Sequence, residues 1–336
     1  MNSPQQLFQP NPLVRSSVMQ SSLARRVPTN LITPRVVRPI LLDAGEDKTP
    51  QANGERVKLL GYYGPSLSMN GGRGLVLLLH GWEGCSHSTY NMTMGDRLLR
   101  AGFEIFQLNL RDHGPNIHFN KYALNRGIFN GTLIDEVAEA THQIAQMAGD
   151  KPFYIIGASM GGSFAMRLAL RHSQTPFHNL KQVIGICPAI DPEAAVRSID
   201  KHALYLKYFR KQWLGSLIAK QKLYPDLYDF RPLLSMPTVF EMTDWWSAHY
   251  TGFQGAHDYY AHYTIAADGF RDLKVHTSII HAANDGVIPV LNFYDLEPNP
   301  LLDLHIHPNG GHVGFIDLFP FHHYLPDLVM NILDVS

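Results

Sequence analysis

A serine followed far downstream by an aspartate and then a histidine can carry out acyl transfer if the backbone holds the hydroxyl within reach of the imidazole. Gly157-Ala158-Ser159-Met160-Gly161 has the form that such a serine needs. A hydroxyl is a poor nucleophile until a base takes its proton, and a sharp turn between a buried strand and a helix presents it to one. That turn brings the main chain so close that side chains two residues either side would collide, so glycine belongs at both flanks. The apolar run Phe153-Tyr154-Ile155-Ile156 precedes the turn, and Phe164, Ala165, Leu168 and Ala169 follow it as one stripe at helical spacing. G-x-S-x-G alone also reads as an ordinary glycine turn. Strand before and helix after make it a nucleophile elbow carrying Ser159.

Two later loops supply the acid and the base. The strand-like run Val275 to His281 ends in Ala282-Ala283-Asn284-Asp285-Gly286, and Leu301 to Ile306 ends in His307-Pro308-Asn309-Gly310-Gly311-His312. Asp285 and His312 thus follow the carboxyl ends of strands, the edge where open α/β sheets place their sites. The order Ser, Asp, His is the one expected after an elbow of this kind. Asp191, after the run Gln182 to Cys187, is the rival acid. Pro188 and Pro192 bracket it and mark it instead as the start of an inserted segment. Upstream, Leu75 to Leu79 ends in His80-Gly81-Trp82-Glu83-Gly84. A loop at this place supplies one oxyanion donor, the other being the amide after the nucleophile, so the N–H groups of Trp82 and Met160 are assigned these roles.

The elements that must position these residues alternate. Val36 to Leu42 and Arg56 to Tyr62 read as leading strands. Leu75–Leu79 is followed by a helix around Tyr90 to Arg100, and Phe103 to Leu110 is the next strand. Leu133, Val137, Thr141, Ile144 and Ala148 mark an amphipathic helix before the elbow strand. This alternation predicts an α/β fold with a mostly parallel central sheet and helices on both faces. Asp191 to about Asp272 breaks the rhythm. It is helix-like and rich in aromatics, among them Tyr205, Tyr208, Phe209, Trp213, Phe240, Trp245, Trp246, Tyr250 and Phe253. Most of these should form the segment's own core, with a few lining an acyl pocket.

The chain resembles the α/β-hydrolases, and more narrowly the YheT-like group related to eukaryotic medium-chain esterases. The similarity runs through His80-Gly81-Trp82-Glu83-Gly84-Cys85-Ser86-His87-Ser88, Asn109-Leu110-Arg111 and the elbow. It continues through Gly255-Ala256-His257-Asp258-Tyr259-Tyr260, the acid loop and Gly310-Gly311-His312-Val313-Gly314-Phe315. The resemblance implies an α/β-hydrolase fold, with residues of about 191–272 as a helical cap insertion in a single domain of residues 1–336. Two departures bear on the pocket. The group usually has Arg-Gly-Cys where this chain has Arg111-Asp112-His113, and Asn where it has Ser163.

At 336 residues with 45% hydrophobic content the chain can bury one large core, and its formal charge of −1 excludes an electrostatic footprint for nucleic acid. No apolar run reaches the roughly 18 residues of a membrane span. Cys85 and Cys187 lack paired spacing, which argues against a disulfide framework and points to a reducing, cytoplasmic setting. Among the 18 histidines, His305-x-His307 with His312 imitates a ligand cluster. There is no H-E-x-x-H and no Cys-His grouping at zinc spacing, so neither metal nor cofactor is expected. Residues 1–42 contain no acid but carry Arg15, Arg25, Arg26, Arg35 and Arg38. That composition is shared with transit peptides. The six prolines oppose a long targeting helix, and the stretch reads as a polar arm lying over the sheet. The expected activity is that of a serine carboxylic-ester hydrolase on short- to medium-chain acyl esters, small molecules. The alternative is an acyltransferase (ester synthase) passing the same acyl group to an alcohol. A binding protein on this scaffold ranks below both, since all three triad members are present.

Overall fold

The computed structural model describes residues 7–68, 72–116 and 120–335. In chain order, α1 (Ser17–Leu23) and α2 (Thr33–Val36) precede β1 (Arg38–Glu46) and β2 (Arg56–Gly64). Then come β3 (Leu75–Leu79), α3 (Thr89–Arg100), β4 (Glu104–Leu108), α4 (Ile134–Met147), β5 (Phe153–Ala158), α5 (Met160–His172) and β6 (Leu180–Ile186). Four helices follow, α6 (Pro192–Lys201), α7 (Ala203–Leu223), α8 (Val239–Tyr250) and α9 (Ala256–Ala261). The chain closes with β7 (His276–Ala282), α10 (Leu291–Tyr294), β8 (Leu302–His307) and α11 (Leu325–Val335). These eight strands form one sheet in the order β1-β2-β4-β3-β5-β6-β7-β8, apart from a small antiparallel pair of Ile316–Asp317 with His322–His323. Within the large sheet β2 runs antiparallel to both its neighbours, and every other pairing is parallel.

The run Leu75-Val76-Leu77-Leu78-Leu79 is apolar without alternation because helices cover both of its faces. Leu75, Leu77 and Leu79 pack in one core with Val137 and Ile144 of α4 and Phe164 and Leu168 of α5. Val76 and Leu78 pack in the other with Leu98 of α3 and Val329 and Leu333 of α11. Each such side chain buried contributes about 1.5–3 kcal/mol. Among the described residues no helix is long and apolar enough to cross a membrane.

The arrangement matches the expected α/β architecture, with most strand ends shifted by a residue or two. β1 begins at Arg38, two residues later than the apolar run suggested, because Thr33–Val36 winds into a helical turn. There Ile32 N donates to the Asp96 carboxylate and Thr33 Oγ1 to Met92 O. Docking on α3 outweighs the strand propensity of Val36 and Val37. Residues 1–6 of the N-terminal stretch lie outside the described residues.

Candidate active site

Ser159 stands between β5 and α5 at φ 56°, ψ −118°, a backbone conformation costly for a residue with a side chain. The two flanking glycines permit the turn. A Cβ on Gly157 would lie 2.0 Å from Gly161 O, and one on Gly161 would lie 2.4 Å from Leu79 O. Strand register brings the neighbouring loop alongside. Leu79 pairs with Gly157 across β3 and β5, so Gly81 falls beside Ser159, its added Cβ 3.0 Å from the serine Cβ.

The three distant residues meet. Ser159 Oγ and His312 Nε2 are 2.9 Å apart, and His312 Nδ1 is 2.9 Å from Asp285 Oδ2. The Asp285 side chain is fully buried, and its other oxygen accepts the amides of Val287 at 2.7 Å and Ile288 at 3.0 Å. Burial pushes this carboxyl up, but the nearby imidazole and these hydrogen bonds outweigh it and hold the group below its ordinary range. An ionised carboxylate can only accept, so Nδ1 carries the proton. Nε2 of the neutral ring is then the acceptor and the serine hydroxyl the donor. Asp191 is elsewhere employed: its side chain accepts Ala194 N at 2.9 Å and caps α6.

The loop after β3 is pinned residue by residue. Gly81 N donates to Tyr90 OH at 2.7 Å, Glu83 N to His113 Nε2 at 3.2 Å and Gly84 N to Gly81 O at 2.9 Å. Between them the Trp82 amide has no protein acceptor among the described residues, and neither has that of Met160. His80 and His113 are both buried and both accept a main-chain N–H through Nε2, from Leu110 and Glu83. Their Nδ1–H groups therefore donate to Gly81 O and Arg111 O. Burial keeps both rings uncharged, His113 at about 4 and His80 well below the ordinary imidazole value. Asp112-His113 is thus a scaffold for this loop. The motif residue Arg111 is buried on Asp47 at 2.8 Å and Glu136 at 2.5 Å.

Helices α6 to α9 and the sheet edge line an apolar cavity that is partly open to solvent, with about 670 Å³ of space free of protein atoms when that opening is included. Ser159, Met160 and Trp82 line it from below. Phe209, Trp213, Trp246, Tyr259, Tyr260 and Tyr263 line it from above. Two of these tyrosine hydroxyls are engaged: Gly131 N donates to Tyr259 OH, and Tyr260 OH donates to Thr243 Oγ1. Tyr205, Tyr208, Phe240, Trp245, Tyr250 and Phe253 do not line it. Helix α7 is tied to the sheet by buried groups. Lys220 Nζ donates to Asp112 and to the carbonyls of Tyr122, Asn125 and Gly127, and Ser216 Oγ donates to Glu83 Oε2 at 2.5 Å. No signal in the sequence pointed to Tyr90, Ser216 or Lys220.

Cys187, His281 and Asp285 offer donor atoms within 4.8 Å of one another. Asp285 already accepts three N–H groups, and burial raises the Cys187 thiol well above its ordinary value, so this cluster is chemically poor as a ligand set. His307 Nδ1 accepts Phe8 N at 3.0 Å and is not turned to a shared site with His312.

The structure is similar in fold to an esterase of Pyrococcus furiosus, at 18% identity and TM-score 0.53 over 92% of this chain and 95% of that one. It is also similar to a 2,6-dihydroxy-pseudo-oxynicotine hydrolase, at 16% identity and TM-score 0.51 over 86% of this chain and 68% of that one. An acylaminoacyl peptidase of Pyrococcus horikoshii matches at 14% identity and TM-score 0.53 over 89% of this chain and 41% of the peptidase. The profile of the alpha/beta hydrolase fold matches residues 74–317, which takes in the elbow, the helices above the cavity and both later loops. By that match the chain belongs to the alpha/beta hydrolase fold family.

Proposed function

We propose that the protein is a serine carboxylic-ester hydrolase acting on short- to medium-chain acyl esters, with Ser159, His312 and Asp285 as its triad. The observation that carries this reading is the hydrogen-bonded line from Ser159 Oγ through His312 to Asp285, opening into an apolar cavity. His312 Nε2 takes the hydroxyl proton as Ser159 Oγ attacks the ester carbonyl carbon, and Asp285 stabilises the imidazolium that forms. The tetrahedral oxyanion points to the amides of Trp82 and Met160. Collapse breaks the bond to the alkoxy oxygen, which leaves as the alcohol with the proton from His312. Water then hydrolyses the acyl-serine by the same route.

The aromatic cavity supports an apolar acyl tail, each buried methylene being worth about 0.8 kcal/mol. Residues of about 191–272 act in this reading as the cap of a single domain, and the motifs shared with the YheT-like group support a reading of the chain within that branch. The test is a 4-nitrophenyl ester series from acetyl to dodecanoyl, together with fluorophosphonate labelling. Activity should rise to a short- or medium-chain optimum, and the label should sit on Ser159. Label on another residue, or activity abolished by EDTA, would overturn the mechanism.

A further inference from the structure

The segment before β1 lies directly on the loops that carry His312 and Asp285. The base loop is irregular: Gly310, Gly311, Val313 and Phe315 have φ of 152°, 56°, 53° and 51°. Such a loop cannot satisfy its amides in a regular ladder, so they need partners from outside. His312 N donates to Ser21 Oγ at 2.9 Å. Ile316 N donates to Gln20 Oε1, and Gln20 Nε2 returns a bond to Ile316 O, as a paired strand would. Gly311 N donates to Asn284 Oδ1, and Asn284 is itself held through its Nδ2 on Arg15 O.

The same helix reaches the acid loop. Gly286 N donates to Ser17 Oγ at 3.1 Å, and that hydroxyl also meets Tyr205 OH of α7. Ser17, Gln20 and Ser21 share one face of α1 at i, i+3 and i+4. Gln20 is fully buried there. The contact is close enough to dictate residue type in the base loop. A Cβ on Gly311 would lie 2.6 Å from Ser17 O, and one on Gly314 would lie 2.8 Å from the Gln20 carbonyl carbon. Further along, Thr89 Oγ1 donates to Arg25 O, and the Arg25 guanidinium lies 3.9 Å from the centre of the Tyr208 ring. One short segment therefore touches the base loop, the acid loop and helix α7 above the cavity.

We propose that this segment belongs to the reaction machinery, with Ser21 and Ser17 as positioning residues for His312 and for the Asp285 loop. The proposal rests on the triad reading above. Ser21 fixes the main chain at the base itself, so its loss lets the imidazole drift from Ser159 while the pocket that binds the acyl group is untouched. Misplacement of a catalytic group by about 1 Å costs on the order of 100-fold in rate, and a hydroxyl lost from one loop partner should cost about tenfold.

The experiment measures kcat, KM and the rate of fluorophosphonate labelling for the full chain and for Ser21→Ala, Ser21→Thr, Ser17→Ala and Ser22→Ala. Ser22 is exposed on the same helix and serves as the control. Ser21→Ala should lower kcat and the labelling rate together by about tenfold with KM unchanged, and Ser21→Thr should restore both. Ser17→Ala should do the same more weakly, and it keeps the test decisive should Ser21→Ala not fold. A lower melting temperature with wild-type kcat and labelling in both alanine variants would overturn the positioning role and leave the triad standing. Retained hydrolysis and labelling in Ser159→Ala would instead overturn the triad, and this proposal with it.

Discussion

The Tyr90 hydroxyl accepts the Gly81 amide at 2.7 Å and anchors the loop whose glycine lies against Ser159. Burial pushes this phenol up to about 12, so it stays neutral throughout the working range. Tyr90→Phe should leave the buried Gly81 amide without a partner, at about 1–3 kcal/mol. The loop can then relax away from the serine, so kcat should fall more than KM rises. Steady-state kinetics on one ester decide it: unchanged kcat would show that the Trp82 amide does not depend on this anchor.

The two candidate acids separate cleanly by substitution. Asp285→Asn cannot stabilise an imidazolium and should cost on the order of 10⁴-fold in kcat. Asp191→Asn keeps a good helix cap and should retain near-full activity and stability. The opposite pattern, measured on a 4-nitrophenyl ester, would transfer the role to Asp191.

Val196 of α6 lines the cavity beside Ala195. Val196→Phe should fill the space that longer acyl chains enter. Octanoyl esters should lose kcat/KM, by about 0.8 kcal/mol for each methylene excluded, while acetyl esters keep theirs. An unchanged chain-length profile would mean that the acyl group goes elsewhere.

Buried neutral histidines make the fold acid-sensitive. His113 and His281 are each held at about 4 by burial, against an ordinary value near 6.5. Between those values the unfolded chain binds protons that the folded chain refuses, so stability falls as pH drops from 6.5 toward 4. At pH 5 each imidazole accounts for about 2 kcal/mol of that loss. Urea midpoints at pH 7, 6 and 5 should descend steeply, and His113→Gln should flatten the descent. Equal midpoints at pH 7 and 5 would contradict the burial argument.

Local pattern was enough to place Ser159, Asp285 and His312 at strand ends, because a buried parallel strand and an elbow impose residue types on their own neighbours. It was enough for the run Leu75–Leu79 and, within a residue or two, for β4 to β8. It could not show that β4 lies between β2 and β3, since strand order is a choice among long-range pairings of similar energy. Nor could it pair Arg111 with Asp47, 64 residues away, or Lys220 with Asp112, 108 away.

The N-terminal stretch marks the division most sharply. Its amino acids by themselves determined a short, polar, acid-free segment whose prolines favour an arm over a targeting helix, without saying what the arm would lie on. Tertiary structure alone decided that Ser17, Gln20 and Ser21 would spend their hydrogen bonds on loops some 270 to 300 residues later. A serine hydroxyl carries no mark of its partner. Only the closed sheet, which sets the ends of β7 and β8 side by side, creates the unsatisfied amides that α1 completes.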